Sequence, residues 1–416
     1  MELSFLSGDR RILARLLSAV IKKGEFSPIS HANIDWSGVL TEAQKHQVLT
    51  LLYPLLSEIG HSMGLSDDQL EELRIASLYD GKEEERKHFD IRKVLLALSD
   101  ANIPVIVLKG LVLRELYPHP CLRTMTDVDI LVRPDDMDRA GNVLEGIGYI
   151  KGPMIEKHTD YSHATLPHIE LHRKLTSEFQ ADIKTDFDDE VWSRAVEVTV
   201  GDAVASSLCP QDEVLYLLLH MASHFISSGF GLRQLCDLVL VLESNRGSID
   251  FAILMEQASR MHIEVFAGSV FRICRFLFDL RLPEVNLSRG TEEELLDRSV
   301  LEIVFDGGIY GKNNIEDFAV SRMIYYSGDK SSASGNGRFR YLINIMFPPL
   351  EKLDIRYSYA HEHHWLLPVA WAHRLCYILV RKDLDFSFKS AVFASVSPTG
   401  NYNKRVALLK RLGLLE

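Results

Sequence analysis

The sequence predicts a mixed α+β protein in which an α/β core is embedded in helical arms. Two observations point there. Residues 1–101 and 209–416 carry apolar side chains at helical spacing, while residues 102–208 alternate short β-branched runs with helix-capable segments. These changes of pattern divide the chain into an N-terminal helical region (1–101), a core (102–208) and a C-terminal helical domain (209–416). At 416 residues the chain is long enough for two or three domains with a sizeable interior.

In the N-terminal region a first helix is expected over Arg11–Lys23, ended by Gly24 and Pro28. Thr41–Ile59 reads as one amphipathic helix capped by Thr41. A long helix runs from Ser66 to Ala101, its start favoured by Asp67, Asp68 and Glu71 through the helix dipole. His46 is assigned to packing and the charged run Lys82–Lys87 to a solvated face.

The core opens with the apolar run Val105–Leu108, which ends on Lys109-Gly110. A helix-capable segment, Leu111–Tyr117, and a polar turn through Pro118, Pro120 and Arg123 lead to the run Thr126–Val132. In a strand, residues i and i+2 share a face, so Asp127 and Asp129 project together while Val128, Ile130 and Val132 fill the other side. Their Cα atoms would lie roughly 6–7 Å apart. Like charges so close repel, and a divalent cation between them relieves the repulsion. A helix is expected over Pro134–Gly148, followed by strands at Tyr161–Leu166 and His168–His172. On the second of these, His168, Glu170 and His172 share one face.

The C-terminal domain begins at Pro210-Gln211-Asp212-Glu213 and continues helically to Phe225, with His220 and His224 one turn apart on one face. The row His220-Met221-Ala222-Ser223-His224 lacks the glutamate of a zinc-protease helix. Leu232–Glu243 carries Arg233 and Asp237. Further helices are expected within Asp250–Phe278 and over Glu292–Phe305, Leu366–Leu379 and Lys404–Leu414. Ser327–Gly337 reads as a loop without the P-loop pattern, and His361-Glu362-His363-His364 as solvent-facing despite its metal-capable side chains.

In order and spacing, Lys109-Gly110, Leu116-Tyr117, Pro120, Arg123 and Asp127-Val128-Asp129 resemble the nucleotidyltransferases of the polymerase-β superfamily. Within it the chain looks most like the bacterial branch of uncharacterised nucleotidyltransferases. Asp35-Trp36, Ala43, His46 and Leu52-Tyr53 resemble that branch's opening, and Ile355-Arg356-Tyr357 its distal motif. The resemblance implies a small mixed β-sheet flanked by helical domains. It implies transfer of a nucleoside monophosphate from a nucleoside triphosphate, ATP by expectation, to a hydroxyl of a small molecule, peptide or protein, releasing pyrophosphate. Two Mg²⁺ ions would be held by Asp127, Asp129 and Glu170, the last at the branch's acidic-Leu-His element. The branch usually has Asp there, and Asp160 is the reserve candidate. Lys109, Gly110 and Arg123 would meet the triphosphate, Gly110 through a backbone N–H where the helix dipole favours anions. Leu111 departs from the Gly or Ser that many members place after the glycine. His172, His220, His224, Arg233 and Asp237 are either substrate-facing or supporting groups hydrogen-bonded between packed helices. Two other functions stay open: transfer of another phosphate-linked group, such as a sugar in peptide natural-product tailoring, and a non-catalytic nucleotide-binding regulator or antitoxin-like protein.

Composition narrows the classes. A net charge of −12 disfavours binding to long nucleic acid. The apolar runs are too short for a membrane span. Cys121, Cys209, Cys236, Cys274 and Cys376 are scattered without a Cys-x-x-Cys pair and read as reduced thiols. Together with an N-terminus that lacks a secretory pattern, they predict a cytoplasmic protein.

Overall fold

Leucines and isoleucines on one face of α1 (Gly8–Lys22) bury Leu13, Leu16, Leu17 and Ile21. The computed structural model describes residues 5–22, 34–155, 157–176, 186–282, 290–309, 363–380 and 400–415, with the single positions 321, 347, 348, 350, 353, 357, 359 and 360 between them. The 327–337 loop, Ile355, Arg356, His361 and Glu362 lie outside the described residues.

The stretch expected as one helix from Thr41 is two. In α2 (Trp36–Lys45) the cap is Asp35, whose carboxylate accepts from the Gly38 N–H, and α3 spans Tyr53–Ile59. Gln47, at φ 53°, breaks them. The break seats His46 in the interior, where the Leu232 N–H donates to its Nδ1 at 3.3 Å and Phe305 meets it edge-on at 5.5 Å. Burial, with Arg10 and Lys45 nearby, lowers its pKa to about 3, so it packs as a neutral ring. α4 (Asp67–Asp100) opens on a capping box in which Ser66 and Gln69 satisfy each other's backbone N–H groups.

The sheet follows the order β3-β4-β5-β2-β1-β7-β6. Its strands are β1 (Ile106–Val107), β2 (Val128–Leu131), β3 (Ile150–Ile155), β4 (His158–Ser162), β5 (Ile169–His172), β6 (Val196–Val200) and β7 (Ala203–Ser207). β1 with β7 and β2 with β5 are parallel, and the other pairs antiparallel, so the sheet is mixed. Between β1 and β2 the chain makes the short helix α5 (Gly110–Leu113) and two 3-10 turns, Arg114–Leu116 and Pro120–Leu122. α6 (Met137–Gly146) follows β2. The expected strand at 161–166 begins three residues earlier and ends at Ser162. β3, interrupted by Gly152 and Pro153, and the largely exposed β6 lack the alternation that marks a strand in sequence.

Val128, Ile130 and Val132 face a cluster made by the C-terminal half of α4 (Ile91, Val94, Leu95, Leu98) and by Ala140 and Leu144 of α6. The opposite side of the sheet is covered by the helices that follow α7 (Phe187–Arg194): α8 (Pro210–Ser227), α9 (Leu232–Ser244), α10 (Phe251–Arg260), α11 (Glu264–Phe278) and α12 (Thr291–Gly307). Their leucines and phenylalanines join those of α1–α3 in one cluster that also takes in Ile106, Leu108 and Leu131. Each such side chain, fully buried, contributes about 1.5–3 kcal/mol relative to exposure. α13 (Leu367–Val380) and α14 (Gly400–Arg411) complete the described elements, with Leu409, Leu412 and Leu414 in the same cluster. Among the described residues no helix is long and apolar enough to cross a membrane.

Candidate active site

Strand register builds the site. β2 and β5 run parallel with Asp129 opposite Glu170, and β5 pairs antiparallel with β4 so that Glu170 is opposite Asp160. Three carboxylates therefore stand in adjacent positions across β2, β5 and β4, on the face away from the α4–α6 layer. Asp127 shares the Asp129 side of the chain at the mouth of β2. His158 and His172 form the next row, paired across β4 and β5.

Lys109 enters this row from the β1–α5 junction. Its backbone adopts φ 45° and ψ −110°, a conformation uncommon for a side-chain-bearing residue. The turn aims Nζ at Asp129 Oδ1, 2.7 Å away. His172 Nε2 donates to the same oxygen at 2.9 Å and lies 3.3 Å from Glu170 Oε2. Burial pushes the Asp129 carboxyl up, but Lys109 and His172 together outweigh it and hold it well below the usual range. Burial also raises Asp127, and the charges of Asp129 and Glu170 add to it, to about 6. For Glu170 burial is again opposed, chiefly by the His172 hydrogen bond, and the net shift is downward. One carboxylate of the set is thus held ionised by a lysine, while its neighbour accepts its charge reluctantly. That is the electrostatic state a divalent cation relieves, and the oxygen donors fit such an ion.

Not all the expected residues face this centre. The Arg123 guanidinium lies buried against Asp237, with Nε to Oδ1 at 3.1 Å and Nη2 to Oδ2 at 2.8 Å, and the Tyr117 O–H donates to the same carboxylate at 2.8 Å. Gly110 packs over it: a Cβ there would come 2.7 Å from Arg123 Nη1. Arg233 Nη1 donates at 2.8 Å to the carbonyl of Thr124, on the turn that precedes Asp127, and also to Gln47 at the break between α2 and α3. His220 and His224 are half-buried, ring against ring at 4.3 Å. Burial and the charge of Lys109 lower His224 to about 4 and His220 further, so both are neutral at pH 7.

The family model for uncharacterised nucleotidyltransferases matches residues 32–279. The chain belongs to that family. A solved structure similar to this nucleotidyltransferase-family chain is the solution structure of the antibiotic-resistance factor ANT(2'')-Ia, at 11% identity and a TM-score of 0.31, covering 45% of this chain and 92% of that one. No curated protein matches.

Two groups on α8 beside this site, Glu213 and Tyr216, escaped the sequence reading. Glu213, Tyr216 and His220 lie on one face of α8 at i, i+3 and i+7. The ring of Tyr216 is 5.9 Å from Lys109 Nζ and 5.6 Å from Lys157 Nζ. Neither carboxylate oxygen of Glu213 nor the Tyr216 hydroxyl has a hydrogen-bond partner among the described residues. His158 was also missed. The i, i+2 alternation of His158, Asp160 and Ser162 and the helical spacing of the α8 set were the available signals. The α8 set was hidden because the apolar residues beside it read simply as core, and His158 because the strand was expected to begin only at Tyr161.

A cavity of about 740 Å³ adjoins Thr124, Met125 and Thr126, just before Asp127. Its other wall is the N-terminal half of α4, with Tyr79 and the carboxylates of Glu72, Asp80, Glu83 and Glu84 beside Lys87.

Proposed function

We propose that the protein transfers a nucleoside monophosphate from a nucleoside triphosphate to an acceptor hydroxyl. The acceptor oxygen bonds to the α-phosphorus, the bond from that phosphorus to the pyrophosphate oxygen breaks, and the hydroxyl proton leaves to solvent. Supporting this is the convergence of Asp127, Asp129 and Glu170 beside the Lys109 turn in a member of a nucleotidyltransferase family.

Asp127, Asp129 and Glu170 would hold divalent metal, with Mg²⁺ as the expected ion. When bound, metal supplies positive charge at the attacking oxygen and at the leaving group. Lys109 holds Asp129 ionised and adds a cation for the phosphates; Gly110 keeps the turn close to them. Arg123, taken up by Asp237, anchors the turn that carries Asp127 and does not itself reach the triphosphate. The cavity before Asp127 receives the acceptor, and its carboxylates favour one that carries positive charge.

The test uses the purified chain with each labelled triphosphate, Mg²⁺ and a cell extract as acceptor source. Label should transfer with release of pyrophosphate, and Asp127→Asn should lower the rate by about two to three orders of magnitude. Release of a nucleoside diphosphate, or full activity in Asp127→Asn, rules the assignment out.

A further inference from the structure

The geometry points to a metal site with two imidazole donors, His158, Glu170 and His172, that takes a divalent first-row transition ion (Mn²⁺, Co²⁺ or Zn²⁺) in preference to Mg²⁺. Its use in catalysis rests on the nucleotidyl-transfer proposal; its existence does not.

One donor atom from each of the three residues lies within 4.8 Å of the others. His172 Nε2 is 3.3 Å from Glu170 Oε2, and His158 Nδ1 is 3.8 Å from the same oxygen. Donors about 2.1 Å from one metal ion stand roughly 3–3.5 Å apart, so the first pair is already at ligand spacing and the second needs a shift of about half an ångström. The strands fix this arrangement: His158 and His172 are cross-strand partners, and Glu170 precedes His172 by two on the same face.

The orientation of His158 is set by its outer nitrogen. Nε2 lies 3.4 Å from Asp160 Oδ1, which leaves Nδ1 turned toward Glu170. Nδ1 is buried and has no hydrogen-bond partner among the described residues. A carboxylate behind a histidine that turns its other nitrogen to an open position is the usual support of a metal-binding imidazole. His172 is 1% exposed in its side chain, and its Nε2 also lies 2.9 Å from Asp129 Oδ1, so an ion bound here takes the place of the hydrogen that Nε2 donates to that oxygen and its binding releases a proton. Nδ1 of His172 is likewise buried without a hydrogen-bond partner among the described residues.

Donor chemistry decides the ion. Mg²⁺ binds oxygen and releases water reluctantly, and it gains little from imidazole. Two nitrogens and one carboxylate suit first-row transition ions, whose affinities also exceed that of Mg²⁺ in such sets. The Asp127–Asp129 pair, by contrast, offers oxygen alone and is coupled to Lys109. The two halves of the centre therefore differ in the ions they prefer, with Glu170 between them.

The full chain, stripped of metal with a chelator, is titrated with Mn²⁺ by electron paramagnetic resonance and with Co²⁺ by visible absorption, each with and without Mg²⁺. Mn²⁺ and Co²⁺ should bind at least tenfold tighter than Mg²⁺ competes, and Co²⁺ should show the absorption of a nitrogen-ligated ion. His158→Ala, at the first position of β4, should weaken Co²⁺ binding about 10–100-fold. Asp160→Asn should weaken it less, and circular dichroism should show both variants folded. If Mg²⁺ displaces Co²⁺ at equal concentration, or His158→Ala binds Co²⁺ as well as the parent, the site is refuted, whatever the transfer assay shows. If Co²⁺ binds as expected and no triphosphate yields pyrophosphate, the site stands and the transferase assignment falls.

Discussion

A buried carboxyl with no partner favours its neutral form, and among the described residues Glu213, at 4% exposure, has none. Burial first, then the charge of Asp237, pushes its pKa up to about 8 from the ordinary 4.5. Between these values the folded chain keeps a proton that the unfolded chain has lost. Stability therefore falls as pH rises through that window, by at most about 1.4 kcal/mol per pH unit, and levels off above it. Glu213→Gln keeps the shape and removes the titration. Its melting temperature relative to the parent should climb from pH 5 to pH 8 in calorimetric scans. A difference that stays constant with pH would mean that Glu213 is ionised in the fold. None of this was readable from Pro210-Gln211-Asp212-Glu213, which looks like an ordinary acidic first turn.

Elements are held in place here by a few polar clamps set in apolar surroundings. Arg123, after the Pro120–Leu122 turn, and Asp237, in the middle of α9, form a two-pronged ion pair with side-chain exposures of 5% and 3%. Removing one member strands a buried charge, so Asp237→Ala should cost about 3–5 kcal/mol in urea denaturation. The double variant Arg123→Met/Asp237→Leu should regain much of that loss, because no charge is left unpaired. The sequence placed both residues correctly in their segments, yet could not show that they meet, since 114 positions separate them. At the start of α4 the signal was fully local. Ser66→Ala removes the cap on the Gln69 N–H, and a loss of about 1 kcal/mol is expected in the same measurement.

Across the whole molecule, the sheet lies between the α4–α6 layer and the layer of C-terminal helices, and the groove before Asp127 is walled by the N-terminal half of α4 and by residues 44–50. Glu72 and Asp80 line that groove without belonging to the carboxylate row. Replacing both with lysine should raise the KM for a cationic acceptor several-fold while leaving kcat and the KM for triphosphate nearly unchanged. Steady-state kinetics separate the two, and an equal effect on both substrates would place the acceptor elsewhere. The acidic balance of the chain makes a further expectation simple. At physiological salt, filter binding should detect no retention of long RNA or duplex DNA.

The periods of the sequence determined the helical arms and the Val128–Leu131 strand by themselves. Spacing along a chain dictates which side chains share a face, and burial then selects that face. The ordered motif from Lys109 to Asp129 was likewise enough to indicate the family. Tertiary structure alone decided the rest. The pairing of β5 between β2 and β4 sets Glu170 beside Asp129 and brings His158 to His172. The turn at Lys109 puts an ammonium on a carboxylate twenty residues away, and α8 delivers Glu213 and Tyr216 from the far half of the chain. Register and long-range packing are properties of paired segments, and no single segment carries the energy that chooses its partner.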